Sequence, residues 1–130
     1  MAALTESQRA FVRDNAFFGV LTTLRPDGSP HSSVVWVDED GGELVFNTSR
    51  GRAKERHLSA DLRAAILVLD PANGYRWLSV SGSVILTEEG GDEGIDALSR
   101  KYDGRPWTPS PGQVRVAVRL RPQRIDSAGL

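Results

Sequence analysis

The residues best suited to chemistry lie in one basic stretch, which runs from Asn47 to Leu58. Its second half holds a single acidic side chain, Glu55, among four basic ones. These basic residues are Arg50, Arg52, Lys54 and Arg56. Arginine binds oxyanions through two parallel hydrogen bonds, and lysine adds a compact positive charge. The stretch therefore predicts a binding site for a phosphate or a carboxylate group.

The predicted secondary structure places the basic stretch where a strand ends and a helix begins. The strand covers residues 43–48 and the helix covers residues 52–59. Free N–H groups and the positive end of the helix dipole favour anions at such a junction, and the hydroxyls of Thr48 and Ser49 lie close by in sequence. The alternative is a solvated basic helix face that forms ion pairs with Glu55. The sequence leaves both interpretations open.

Most self-sufficient catalytic sites are excluded by what the chain lacks. There is no cysteine, which rules out disulfides, thiolate metal sites and a cysteine nucleophile. The two histidines, His31 and His57, do not have the spacing of a zinc motif, so no metal site is expected. A nucleophile elbow, a Rossmann fingerprint and a P-loop are also absent from the sequence. We assign no catalytic residue, and a bound cofactor that supplies the chemistry becomes the expectation.

Two tryptophans are candidates for contact with a planar ligand. Trp77 and Trp36 both lie on predicted strands, where an aromatic ring either packs in the core or interface or forms a flat apolar wall. Lysine is rare, with 2 lysines against 14 arginines, as a GC-rich genome would produce. A lysine among so many arginines is a candidate for a specific role, and Lys54 lies in the basic stretch.

The length and net charge of the chain limit the classes of protein to which it can belong. The chain has 130 residues and a net charge of −1, so we expect one domain over residues 1–130 and no nucleic-acid partner. No apolar run reaches the roughly 18 residues of a membrane span, and the N-terminus does not have the pattern of a signal peptide. We therefore expect a cytoplasmic protein without a membrane partner.

The predicted elements indicate a mostly β fold. Six strands are expected, at residues 17–24, 30–37, 43–48, 63–69, 75–86 and 115–120, with helices at 6–14, 52–59 and 94–102. Residues 63–69 are apolar on both faces, which predicts a central strand covered on both sides, and Gly82 predicts a bulge. In the last strand, alternation places Val116 inside and Arg115 and Arg119 outside. We expect a mainly antiparallel six-stranded barrel with two or three short helices.

Three segments together resemble the pyridoxamine-5′-phosphate-oxidase-like family of FMN-binding split β-barrels. Residues 19–31 resemble its opening hairpin, residues 52–66 its helix-and-strand segment, and residues 76–82 the strand that follows. The resemblance is closest to the branch that uses the deazaflavin coenzyme F420, including biliverdin-reductase-like members. Two positions depart from the family pattern: His57 stands where Asn is usual, and Leu62 where Pro is frequent.

The resemblance implies a homodimer of split barrels with two cofactor sites at the interface. The cofactor phosphate would then lie against Thr48, Ser49, Arg50, Arg52 and Lys54. The flavin-like ring would lie along His31, Ser32, Ser33 and Val35, and Trp77 would approach from a neighbouring strand of either chain.

The same resemblance implies an F420-dependent oxidoreductase that transfers hydride to a conjugated small molecule such as biliverdin. The arginine-rich stretch favours F420, which carries several negative charges, over FMN with its single phosphate. An FMN-dependent oxidase or reductase is the first alternative. The second is a non-catalytic protein that binds a flavin or deazaflavin.

Overall fold

Helices and strands alternate in small groups along the computed structural model, which describes residues 2–130. The helices are α1 (Glu6–Arg13), α2 (Ala53–Ala60) and α3 (Gly91–Asp103). The strands are β1 (Gly19–Leu24), β2 (Pro30–Val35), β3 (Asp38–Asp40), β4 (Glu43–Ser49), β5 (Arg63–Leu69), β6 (Trp77–Thr87) and β7 (Arg115–Ala128). A capping box of Thr5 and Gln8 starts α1 as the sequence predicts.

The strands form one antiparallel sheet in the order β2-β1-β5-β6-β7-β4-β3. The mostly β, antiparallel prediction is confirmed, but the predicted six-stranded barrel is wrong in two respects. Residues 2–130 hold seven strands, and the edge strands β2 and β3 do not pair with each other, so the sheet is open. The missed strand, β3, is acidic and adjoins Gly41 and Gly42, which is a turn pattern; its pairing with β4 makes it a strand.

The last strand, β7, is longer than predicted and joins the two parts of the sheet. It pairs with β4 over residues 115–120 and with β6 over residues 117–128. Arg121 to Ala128 are polar and include Pro122, so the sequence does not indicate a strand there. The long partner β6 supplies the hydrogen bonds that hold this segment extended.

The predicted bulge at Gly82 is confirmed. The register between β6 and β7 shifts between Ser81 and Gly82. A Cβ atom at Gly82 would lie 1.9 Å from the carbonyl oxygen of Arg121, so only glycine allows the two backbones to approach this closely.

One face of the sheet is buried and carries the hydrophobic core. Leu21, Ile66, Val80 and Leu120 are fully buried there, and Leu58 of α2 packs against them. The opposite face is not covered as predicted for β5, because Leu67 and Leu69 are 39% and 43% exposed. Within residues 2–130, no helix has the length and apolar character needed to cross a membrane.

Candidate functional site

A groove of about 210 Å³ lies at the N-terminal end of α2. It is bounded by the end of β2, the outer face of β4, helix α3 and the loop that precedes β7. Its lining residues are Phe18, Val34, Val35, Trp36, Asn47, Arg52, Lys54, Ile95, Leu98, Trp107 and Arg115. Of the ten residues predicted for the site, this groove brings together Val35, Arg52 and Lys54.

One end of the groove is positively charged, and its cations form no ion pair within residues 2–130. Arg52 and Lys54 come from the start of α2, and Arg115 comes from the start of β7. No carboxylate of residues 2–130 lies within 4.0 Å of a charged nitrogen of these three side chains. Burial lowers the pKa of Lys54, and the charges of Arg52 and Arg115 lower it further. An oxyanion would relieve this repulsion, so the cationic end is suited to bind one.

Arg115 is the most deeply buried of the three cations, with 8% of its surface exposed. Its Nε donates a hydrogen bond of 2.9 Å to Oδ1 of Asn47, and its guanidinium carbon lies 5.1 Å from the ring centre of Trp107. Burial lowers the pKa of Arg115, and the charge of Arg52 adds to this effect. These contacts fix the plane of the guanidinium group at the wall of the groove.

Helix α3 is docked directly on the strands that carry Asn47 and Arg115. Nδ2 of Asn47 donates a hydrogen bond of 2.9 Å to the carbonyl oxygen of Gly91. A Cβ atom at Gly91 would lie 2.2 Å from the carbonyl oxygen of Arg115, which explains why glycine starts the helix. The close approach brings Ile95 and Leu98 of α3 to the groove.

The other end of the groove is aromatic. The ring of Trp36 stacks on that of Tyr102 at 5.5 Å, and the ring of Trp107 meets Trp36 edge-on at 6.3 Å. Nε1 of Trp107 is buried and has no hydrogen-bond partner within residues 2–130. Phe18 and Val34 complete the apolar wall. Aromatic side chains in this arrangement are suited to contact a planar ring.

Arg50 lies outside the groove lining and is neutralised. Its Nη1 contacts Oε1 of Glu55 at 2.9 Å, and its Nε contacts Oε2 of Glu88 at 3.0 Å. Each interpretation of the basic stretch, an anion site or a helix face with ion pairs, therefore holds for different residues. Arg50 forms the ion pairs of a structural helix face, whereas Arg52 and Lys54 are left for a ligand.

The hydroxyls predicted beside the phosphate are buried and do not line the groove. Thr48 and Ser49 are 2% and 3% exposed, and Oγ1 of Thr48 has no hydrogen-bond partner within residues 2–130. Neither side chain caps α2, whose N-cap is Arg52 with an extended backbone.

The predicted residues of β2 point to both faces of the sheet. His31 and Ser33 point inward with Val35, whereas Ser32 is exposed and its hydroxyl lies 3.1 Å from that of Thr22. Nδ1 of His31 and Oγ of Ser33 are buried without a partner in the described part of the chain. The ring of His31 lies 5.0 Å from that of His57, so the two distant histidines form a pair.

Trp77 lies away from the groove on the outer face of β6. It lines a separate open cavity of about 610 Å³ together with Leu67 and Leu69 of β5. Within a single chain, Trp77 and the groove are therefore parts of different surfaces.

Comparison with known proteins gives the family directly. The family model described as pyridoxamine 5′-phosphate oxidase matches residues 4–128, which is nearly the whole chain. The chain belongs to this family. Its open antiparallel sheet and three helices are this family's fold in the present sequence. The resemblance inferred from residues 19–31, 52–66 and 76–82 is thus confirmed.

Several known proteins are similar to the chain over most of their length. The F420H(2)-dependent biliverdin reductase of Mycobacterium tuberculosis is 29% identical over 125 residues, covering 94% of this chain and 86% of the relative. The solved structure of an F420 reductase is 31% identical with a TM-score of 0.81, covering 95% of this chain and 98% of that one. A conserved hypothetical protein from M. tuberculosis is 26% identical with a TM-score of 0.79, covering 96% and 84%.

Sequence reasoning missed the part of the groove that comes from distant segments. Asn47, Trp107 and Arg115 meet only because α3 and the following loop fold over the outer face of β4 and β7. Strand alternation alone predicted that Arg115 points to solvent. Alternation does identify the face of the sheet, but it gives no signal that a helix covers that face.

Proposed function

We propose that this protein is an F420-dependent oxidoreductase. The observation that carries the proposal is the groove itself, where three cations that form no ion pair within residues 2–130 face a wall of aromatic rings. This arrangement suits a ligand that joins an anionic tail to a planar ring. The similarity to an F420H(2)-dependent biliverdin reductase and to an F420 reductase supports the deazaflavin in particular.

In this proposal, the residues of the chain bind and orient the coenzyme. Lys54 and Arg52 hold its phosphodiester group, and Trp36, Trp107 and Val35 bound the space for its ring. F420 supplies the hydride chemistry when bound. The protein contributes orientation, a partly dry surface and positive charge, and no side chain of the groove is needed as a nucleophile.

A second copy of the chain would complete the site. The groove opens through Phe18 and Val34, which are 58% and 63% exposed. On the outer sheet face, Val34 pairs with Val20, and Val20 pairs with Leu67, so exposed apolar side chains run from the groove across three strands. A homodimer that buries this face would close the groove and would bring Trp77 of the partner toward the bound ring.

We propose a conjugated, planar small molecule as the substrate, with a bilin as the first candidate. The name of the mycobacterial relative supports a bilin, at 29% identity. The aromatic end of the groove supports the broader class, because extended π systems stack well on indole and phenol rings.

The decisive experiment is a parallel calorimetric titration of the purified protein with F420 and with FMN. We expect micromolar or tighter binding of F420 and at least about tenfold weaker binding of FMN, because F420 carries more negative charge. Lys54→Ala should weaken F420 binding by about 1–3 kcal/mol. Arg121→Ala is the matched control, since Arg121 is an exposed residue that pairs with Glu43. It should leave binding unchanged.

The titration also separates the alternatives. Tighter binding of FMN would assign the protein to flavin chemistry and contradict the proposal. If F420 binds, reduced F420 should lose its hydride to biliverdin or a related bilin in a coupled absorbance assay. F420 binding without turnover of any conjugated acceptor would instead support the non-catalytic binding protein.

A further inference from the structure

Arg115 is a buried cation that forms no ion pair within residues 2–130. It is 8% exposed. A buried guanidinium without an acidic partner is costly, so its place at the groove wall calls for an explanation. Arg119, four residues further along the same strand, shows the usual arrangement, with Glu43 at 2.8 Å and Asp40 at 3.0 Å.

The surroundings of Arg115 hold the guanidinium group in one orientation. Nε is committed to Asn47, and the flat face of the group lies over the ring of Trp107. Asn47 is itself fixed by its hydrogen bond to the carbonyl oxygen of Gly91. Since the Nε edge and one face are occupied, the two terminal nitrogens form the edge that remains for a ligand in the groove.

We propose that Arg115 is the specificity-determining residue of the groove and selects phosphoryl groups over simple carboxylates. Its two terminal nitrogens donate parallel hydrogen bonds to two oxygens of one phosphoryl group. Lys54 and Arg52 add charge from the opposite segment. This inference deepens the proposed function, because it concerns the same groove.

The balance of charge argues for a phosphoryl group and not for a carboxylate. Three cations border one groove of about 210 Å³, and none of them forms an ion pair within residues 2–130. Burial and the charge of Arg52 lower the pKa of Arg115, and they outweigh the charge of Asp92, at the start of α3, which raises it. Glu55 pairs with Arg50, and Asp96 pairs with Arg100. A phosphate dianion or a phosphodiester with further anionic groups compensates this charge better than one carboxylate does.

The test keeps the formal charge and changes only the geometry of the donor. Arg115→Lys should raise the dissociation constant for inorganic phosphate about tenfold, because a lysine donates no planar fork. It should also reduce the preference for phosphate over acetate. Arg119→Lys is the matched control on the same strand and should change neither value by more than about twofold. Both affinities are measured by isothermal titration calorimetry at fixed ionic strength on variants whose circular dichroism matches the wild type.

If Arg115→Lys does not fold, Trp107→Leu replaces it, since that variant removes the ring under the guanidinium and keeps every charge. It should weaken phosphate binding several-fold. Wild-type phosphate affinity in a folded Arg115→Lys or Trp107→Leu variant would overturn the inference, and so would an equal loss in Arg119→Lys. If phosphate binding depends on Arg115 but the protein binds neither F420 nor FMN, the role of Arg115 is upheld and the proposed function is refuted. If F420 binds equally well to the wild type and to Arg115→Lys, the proposed function is upheld and the role of Arg115 is refuted.

Discussion

At the scale of single residues, the groove concentrates positive charge that the fold does not neutralise. Lys54, Arg52 and Arg115 repel one another, and burial lowers the pKa of Lys54 and of Arg115. The ligand-free protein is therefore less stable than it would be with a neutral groove. An anion that binds there removes this cost, so binding and folding are linked at these side chains.

Replacement by methionine should raise the stability of the ligand-free protein at Lys54 and lower it at Lys101. The pKa of Lys54 is lower in the folded than in the unfolded chain, so the charged form destabilises the fold at neutral pH, and this penalty disappears above the unfolded pKa of about 10.5. Lys54→Met should raise the Tm of the ligand-free protein by a few degrees while it weakens phosphate binding. Differential scanning fluorimetry measures the first effect. A lower Tm would contradict this account of the charge.

The histidine pair predicts a loss of stability in mild acid. The pKa of His57 is lowered by burial first and then by the charges of His31, Arg25 and Arg56. The unfolded chain therefore takes up a proton below about pH 6.5 before the folded chain does, and stability falls from there toward the lowered pKa. His57→Asn keeps a partner for the hydroxyl of Thr23, which lies 3.0 Å from Nδ1. Its Tm should fall less than that of the wild type between about pH 7.5 and about pH 5.

Scanning calorimetry at the two pH values checks the histidine prediction. The comparison is the change in Tm within each protein, so a general effect of the substitution on stability cancels. An equal drop in wild type and His57→Asn would contradict the lowered pKa of His57.

The sequence predicts residues of the site when they are neighbours along the chain. Arg52 and Lys54 could be found because a strand-to-helix junction with this charge is a local feature. The sequence could not show that Arg50, and not Arg52, is neutralised, because Arg50 contacts Glu88, which lies far away in sequence, as well as Glu55. The sequence likewise did not identify Asn47 and Trp107 as groove residues, because they contact Arg115 across a long stretch of chain.

At the scale of elements, helix α3 is fastened at both ends. Gly91 rests on the backbone of β7 at the start of the helix. Near its end, Nζ of Lys101 donates to the carbonyl oxygens of Val12 and Val37 at 2.7 and 3.2 Å, and contacts Oδ1 of Asp38 at 3.0 Å. One side chain thereby joins three segments, and the helix forms a fixed wall of the groove.

Lys101→Met should lower the free energy of unfolding by about 2–3 kcal/mol, because it leaves carbonyl groups and Asp38 without their donor. Urea denaturation measures the change. Arg100→Met is the control on the same helix, since Arg100 is 59% exposed and pairs only with Asp96. Its effect should stay within about 0.5 kcal/mol. Equal losses in the two variants would contradict the proposed fastening.

Helices and strands with a clear local sequence pattern were predictable. Strands that form only because a neighbouring strand pairs with them were not. Helix α1, strand β5 and the bulge at Gly82 follow from a capping box, an apolar run and one glycine. Strand β3 and the second half of β7 are strands because β4 and β6 pair with them. Propensity does not carry that information.

At the scale of the whole molecule, the exposed apolar face decides how two copies would meet. Leu67→Glu should convert the proposed dimer to a monomer at micromolar concentration, with a dimer dissociation constant at least about a hundredfold higher, because a carboxylate would be buried without a partner. Sedimentation velocity measures the mass. Leu62→Glu is the control, since Leu62 is 51% exposed and precedes β5. A wild-type protein that sediments as a monomer would refute the dimer, and with it the role of Trp77 at the site.

The position of β7 in the sheet also bears on how the protein is made. In the strand order β2-β1-β5-β6-β7-β4-β3, only β7 lies between the group that contains β6 and the pair of β4 and β3. A ribosome synthesises β4 long before β7, so β4 and β3 lack this neighbouring strand until residues 115–120 have emerged. The groove needs Arg115 from the same strand, and it too forms only at that point. The complete sheet and the cationic end of the groove therefore depend on the same late-synthesised strand.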